Sequence, residues 1–222
     1  MKRKIVLVVL LILPLTMYVY FSMAKHNSLF LPVITKNVAE APPGKTLDDK
    51  PVHLKGKITI VGFLGKDIIK KKETIFNVNQ KINNKYKDFT DFQLLMIVPD
   101  GAQDEVKQVI SELKAMGDIS NWKFIFAQPQ DITDFYKSLK VREPLGADFS
   151  TYNIFILDKD SSLRGRKGKD KETGEDEFKD AYNSFSAAEL HNEMTDDVKI
   201  LLREYRLALR KNDTLKGVKR EI

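Results

Sequence analysis

Cysteine does not occur in this chain of 222 residues. Disulfides, thiolate metal ligands, thiol nucleophiles and cysteine-linked lipid anchors are therefore all excluded. Dithiol redox catalysis by the chain alone goes with them. Histidine is almost as scarce. His26, His53 and His191 are the only three, and no pair has the spacing that puts two imidazoles on one helix face. Met1, Met17, Met23, Met96, Met116 and Met194 are scattered and form no Met-x-Met cluster. A glycine-rich phosphate loop, a Gly-x-Ser-x-Gly elbow and a His-Glu-x-x-His pair are missing as well. No metal and no cofactor is expected.

What is present begins at the N-terminus. Met1-Lys2-Arg3-Lys4 is basic, and residues 5–23 are apolar apart from Thr16, Tyr18, Tyr20 and Ser22. As a helix that run reaches roughly 28 Å, about one hydrocarbon thickness. The three cations belong on the cytoplasmic side, which exports the rest. Tyr18 and Tyr20 suit the outer interface, and a span tolerates Pro14. The sequence thus predicts an N-terminal transmembrane helix over residues 1–24, crossing the cytoplasmic membrane once. The N-terminus lies inside and the domain on the periplasmic side. A cleaved signal peptide is the rival reading, because Ser22-Met23-Ala24 has the small-x-small form.

The formal net charge is +6, and Lys2, Arg3 and Lys4 supply half of it. A basic balance by itself suits nucleic acid, but an exported location argues against that partner. The expected partners are the membrane and a membrane protein. The exported part, about 200 residues, suits one domain with a substantial core.

Residues 25–45 read as a tether. They hold Pro32, Pro42, Pro43 and Gly44, with Leu29-Phe30-Leu31 as the one apolar cluster. The compact domain is expected over 46–222. Within it, residues 57–63, 92–98, 122–126 and 153–157 are short, apolar and rich in β-branched or aromatic side chains, so they read as buried strands. Three amphipathic helices separate them. Ile75, Val78, Ile82 and Tyr86 stripe the first, over 69–86. Val106, Val109, Ile110, Leu113 and Met116 stripe the second, over 103–116, which Gly117 ends. Ile132, Phe135, Tyr136 and Leu139 mark the third. Asp158-Lys159-Asp160 turns the chain into Ser162-Leu163-Arg164. The charged stretch 164–180 runs basic through Arg164, Arg166, Lys167 and Lys169, then acidic through Glu172, Glu175, Asp176 and Glu177. It reads as a solvated insertion or a docking site for a charged partner. A long helix over 187–211 closes the chain, its stripe formed by Leu190, Met194, Val198, Leu201, Leu202, Tyr205 and Leu209.

Strands alternating with crossover helices imply a parallel core, and the closing pair adds antiparallel strands. The fold class is α/β: a thioredoxin-like fold with a central mixed sheet, flanking helices and the N-terminal transmembrane helix.

Three stretches then resemble the Sco/SenC family, membrane-anchored thioredoxin-fold proteins that handle copper during cytochrome oxidase assembly. The first is Leu54-Lys55-Gly56-Lys57-Ile58-Thr59-Ile60-Val61-Gly62-Phe63, the family's lead into its active loop. The second is Asp148-Phe149-Ser150 followed by Asn153-Ile154-Phe155-Ile156-Leu157-Asp158-Lys159-Asp160. It is similar to the family's Asp-His-Ser, strand, Ile-Asp-x-Asp-Gly block, with Ser161 in place of the glycine. The third is residues 194–212, similar to the closing helix of Sco-like proteins.

The resemblance implies a Cu(I) site of Cys-x-x-x-Cys and a distant histidine. Counted from Phe63, the cysteine positions fall on Lys66 and Lys70 and the histidine position on Phe149. These three are expected to lie near one another at one edge of the sheet. Ammonium groups and a phenyl ring do not bind Cu(I), which takes soft thiolate or imidazole. The family's chemistry is therefore not expected here. What the resemblance implies is a non-catalytic, membrane-anchored binding or assembly factor in respiratory-complex biogenesis. Two alternatives stay open. One is a copper chaperone or thiol-redox protein acting through a partner's cysteines. The other is an anion-binding module at Lys66, Lys70, Lys71 and Lys72, although cations crowding a helix start oppose its dipole.

Overall fold

The computed structural model describes residues 10, 12–20, 30–169, 174 and 176–218. Lys2, Arg3 and Lys4, part of the apolar run after them, and Glu172 and Glu175 lie outside the described residues. So does the side chain of Leu209. Among the described residues no helix is long and apolar enough to cross a membrane.

Strands β1 (Val33–Thr35) and β2 (Gly44–Lys45) come first, then β3 (Ile58–Leu64). A 3-10 turn, Ile69–Lys71, opens α1 (Lys72–Val78), which runs on through a π-helical turn, Asn79–Asn83, into Asn84–Tyr86. Strand β4 (Phe92–Pro99), helix α2 (Gln103–Met116), strand β5 (Trp122–Ala127) and helix α3 (Pro129–Leu139) follow. Pro129 stands at the first turn of α3, where its missing N–H costs nothing. The chain returns through β6 (Ser150–Leu157) and β7 (Leu163–Arg164). Next come a hairpin of β8 (Arg166–Lys169) and β9 (Asp176–Lys179), then β10 (Tyr182–Asn183). The turns Ala187–Glu189 and Leu190–Met194 lead into α4 (Thr195–Val218).

The main sheet has the order β1-β7-β6-β3-β4-β5-β2, with β10 also on β6. β3, β4 and β5 are parallel, in register at Ile60↔Leu94 and Met96↔Phe124. β6 runs antiparallel to β3, with Val61 opposite Phe155.

All residues of β3 and β4 are buried because both faces of the sheet are covered. Alternation divides their side chains between two cores. Ile58, Ile60 and Leu64 face one with Ile82, Val109, Leu113, Val198 and Leu201. Val61 and Phe63 face the other with Val38, Leu54, Phe135, Leu139 and Phe155. The expected stripe of the last helix is core over its first half: Leu190 and Met194, in the turns before α4, and Val198 and Leu201 within it are buried, whereas Leu202 and Tyr205 are half-buried. Met116, grouped with the α2 stripe, is exposed instead, as the last residue of its helix.

Two segments differ from the sequence reading. The tether expected over 25–45 supplies both edge strands: β1 pairs with β7 and β2 with β5. A three-residue and a two-residue strand are too short to show a period in sequence. Within the charged stretch over 164–180, Arg166–Lys169 and Asp176–Lys179 pair as antiparallel strands rather than forming a solvated loop. Arg166 forks onto Asp197 at 2.9 and 3.0 Å, and Tyr182 donates to the same carboxylate at 2.5 Å. Lys179 reaches Glu189 and Glu193 at 2.7 Å each. Charges that read as solvent-facing therefore tie the hairpin to the first turn of α4 and to the turns before it.

Candidate functional site

The loop between β3 and α1 is where the expected site residues fall. β3 ends at Leu64, and Gly65 takes a left-handed conformation with φ 70°. A side chain there would meet Ser150 Cβ at 2.6 Å and the Asp148 carbonyl oxygen at 2.8 Å. Glycine is what allows the segment before β6 to close against the loop.

That segment is tightly built. Phe149 N–H donates to the Gly146 carbonyl at 2.9 Å, and Gly146 N–H to the Ser150 carbonyl at 3.0 Å. The Asp148 carboxylate accepts the Ser150 hydroxyl at 2.7 Å and the Ser150 N–H at 3.2 Å. Phe149 has a positive φ of 63°, an uncommon conformation for an aromatic residue.

The structure brings Lys66 and Phe149 together, with the ammonium 6.0 Å from the ring centroid. Lys70 is turned elsewhere. It is fully exposed and pairs with Asp67 at 2.8 Å, and its hydrogen bond to that carboxylate raises its pKa. The lysine that joins the two sides is Lys71. It is buried, its ammonium lies 3.4 Å from Asp148 and it sits 5.7 Å from the Tyr152 ring centroid. Burial opposes ionisation of Asp148. The Ser150 hydroxyl and Lys71 outweigh it and hold the carboxyl below its usual range.

The four lysines are not a free cationic patch. Lys70 and Lys71 have the partners just given, and Lys72 pairs with Glu112 at 2.6 Å. The helix start holds its own anion, since Glu105 of α2 accepts the Ile68 N–H at 3.0 Å. Sequence spacing alone could not single out Glu105 or Glu112, because both lie on the polar face of a separate helix. Asp148 was visible as part of the second resembling stretch.

The donor set does not fit copper. Lys66 and Phe149 offer an ammonium and a phenyl ring, and Lys70 is engaged with a carboxylate. Among the described residues no three His, Asp or Glu side chains cluster as metal ligands. His53 and His191 are exposed and far apart in the chain. His26 lies outside the described residues.

The parallel β3-β4-β5 core, the antiparallel β6 and β7 and the helices on both faces make this a thioredoxin-like α/β fold. No protein-family model matches the sequence, and no curated protein matches it. Solved structures do. A putative electron transfer protein from Aquifex aeolicus VF5 aligns with 76% of this chain and 97% of its own, at 13% identity and TM-score 0.51. BsSco, described as a member of the Sco family of cytochrome c oxidase assembly proteins, covers 76% of this chain and 92% of its own, at 16% identity and TM-score 0.49. Copper-bound ScoI from Bradyrhizobium japonicum covers 77% and 99%, at 16% identity and TM-score 0.43. Sco proteins are thus among the structural neighbours, and at 13% identity what the Aquifex aeolicus protein shares with this chain is the fold.

Proposed function

We propose that this chain is a non-catalytic Sco-like protein, held by its N-terminal span on the periplasmic side of the cytoplasmic membrane. It serves there as a binding or assembly factor for a membrane-protein partner. One observation carries the reading. The loop at the position where the resemblance puts thiol or metal chemistry is held closed by its own contacts but carries no thiolate or imidazole. Gly65 still lets the two sides close, and Asp148, Ser150 and Lys71 still lock them. Lys66 and Phe149 face one another where ligands are expected. A surface kept in shape without its chemistry suits recognition better than turnover. The respiratory part of the proposal, cytochrome oxidase biogenesis, rests on the three resembling sequence stretches.

The test is Cu(I) titration of the whole protein in detergent against a chromogenic chelator, together with capture of partners through the native membrane. The expected result is no copper taken from the chelator and a membrane protein crosslinked through a photoreactive group at Lys66. Stoichiometric Cu(I) binding by the unmodified chain would overturn the non-catalytic reading and favour a copper carrier.

A further inference from the structure

Leu31 is gripped on both sides of its peptide. Its N–H donates to Glu204 at 2.5 Å, and its carbonyl accepts from Arg164 Nε at 2.9 Å. Arg164 is itself fixed by Asp158 at 3.0 Å and Glu204 at 2.5 Å. Leu31, Arg164 and Asp158 are buried. Next to this joint the Tyr205 hydroxyl donates to Asp160 at 3.4 Å, and the Lys159 ammonium lies 5.2 Å from the Tyr205 ring centroid. The start of the domain and the middle of α4 are therefore one corner.

Seven residues, 24–30, separate this joint from Met23, where the apolar run ends. Fully extended they reach about 25 Å. That bounds how far Leu31 can lie from the end of the apolar run. If the N-terminal run spans the membrane, the corner at Leu31 is tethered within about 25 Å of the bilayer.

Past the joint, α4 continues through residues 206–218, about 20 Å of helix. Arg206, Leu207 and Ala208 are exposed, although Arg206 also stacks 5.9 Å from the Phe89 ring centroid. Between residues 206 and 218 the helix sequence holds four cations, Arg206, Arg210, Lys211 and Lys216. The one carboxylate is Asp213. A helix this basic next to a span meets anionic lipid headgroups before any other polyanion.

We infer that the distal part of α4 is a lipid-surface element, lying on the anionic headgroups of the leaflet from which the domain emerges. Its net positive charge is drawn to the phosphates, and the exposed Leu207 enters the headgroup boundary. Span, Leu31 joint and basic helix then fix the domain's orientation on the membrane. This inference rests on the anchor proposed above.

The absence of cysteine makes the test clean, because one introduced cysteine is a unique label. The full chain carrying Leu207→Cys, at an exposed position, is labelled with a fluorophore and reconstituted into vesicles. One set is phosphatidylcholine alone, the other an equal mixture with phosphatidylglycerol. Lys45→Cys on β2, at the opposite edge, is the control. In the mixed vesicles, quenching by aqueous iodide is expected to fall several-fold at 207. Quenching by headgroup nitroxide should rise there, and the Lys45 label should show neither change. About 1 M salt, which shortens the screening length to about 3 Å, should reverse the effect. Equal iodide quenching at 207 in both vesicle types, with the chain still membrane-bound, would overturn the lipid-surface assignment and leave the anchor standing. Protection at 207 in both vesicle types that salt does not alter would overturn it too. Release of the chain by alkaline carbonate would overturn the anchor, and the lipid-surface assignment with it.

Discussion

Glu105, in the first turn of α2, accepts the backbone N–H of Ile68 at 3.0 Å. An anion from another helix thereby sits at the start of the segment that carries Lys70, Lys71 and Lys72. A helix start favours negative charge and disfavours lysine. Glu105, with Glu112 on Lys72 and Asp148 on Lys71, offsets the lysines from three directions. The reading of this face as an anion site loses its ground, because the anions are supplied from within.

Replacing Glu105 should therefore weaken the fold rather than expose a dormant function. Glu105→Ala leaves the Ile68 N–H without its acceptor, a loss of about 1–2 kcal/mol by analogy with helix caps and single buried hydrogen bonds. Glu105→Gln keeps an acceptor oxygen and should cost less. Urea unfolding of both variants measures the difference. Equal stability of Glu105→Ala and wild type would show that the contact contributes nothing.

The Leu31 joint offers a larger effect. Arg164→Met removes the guanidinium and leaves Asp158 and Glu204 with no counter-charge in a buried corner. The loss of one partner from a buried ion pair costs about 3–5 kcal/mol. Arg164→Lys keeps a charge but not the fork that serves two carboxylates and a carbonyl, so it should fall between. Hydrogen exchange gives a local readout. The amides of Leu31 and Gly165 should lose protection first, since Gly165 N–H donates to the Pro32 carbonyl at 3.1 Å in the same joint.

Much of this architecture can be read from residue pattern alone. β3 through α3 follow from apolar runs of strand length and stripes of helical spacing, signals that are local. The edge strands β1 and β2 do not, because they are two or three residues long and exist only where a partner strand receives them. The hairpin of β8 and β9 was hidden for a different reason. Its residues are charged, and charge reads as solvent exposure until Asp197, Glu189 and Glu193 are placed opposite. At the site, Lys66 and Phe149 could be paired through the resembling stretches. That Lys71 rather than Lys70 is the buried member could not, because one residue along a 3-10 turn decides which lysine points inward.

Asp148 gives the site a pH signature. Burial works against its ionised form. The Ser150 hydroxyl and amide and the Lys71 ammonium prevail, and its folded pKa lies below the ordinary value. A depressed carboxyl contributes stability that is fully present above its unfolded pKa, about 3.9. That contribution is lost as pH falls through the folded value. Wild type should therefore lose more stability than Asp148→Asn on going from neutral pH to below about pH 3. Asparagine can still accept from Ser150 but does not titrate. Urea midpoints across that range test this, and parallel curves for the two proteins would remove Asp148 from the account.

Restoring donors to the loop tests whether its architecture is still that of a binding site. The triple variant Lys66→Cys, Lys70→Cys, Phe149→His places two thiols four residues apart and an imidazole across from the first. Lys66 and Lys70 are exposed, so neither change should disturb the core. Phe149 has a positive φ, which histidine adopts more readily than phenylalanine, so that change also relieves the backbone. The 6.0 Å between the Lys66 ammonium and the Phe149 ring shows that these two positions face each other. Lys70 is the arm that points elsewhere, since its side chain is tied to Asp67, and a thiol there is released from that pairing. Two thiolates and an imidazole suit Cu(I). The triple variant should take up one Cu(I) per chain against a chelator, and reverting any one of the three positions should weaken binding by at least tenfold, about 1.4 kcal/mol. A folded triple variant that binds no copper would mean that position 70 does not converge with 66 and 149, and the alignment of this loop with a Cys-x-x-x-Cys site would be withdrawn.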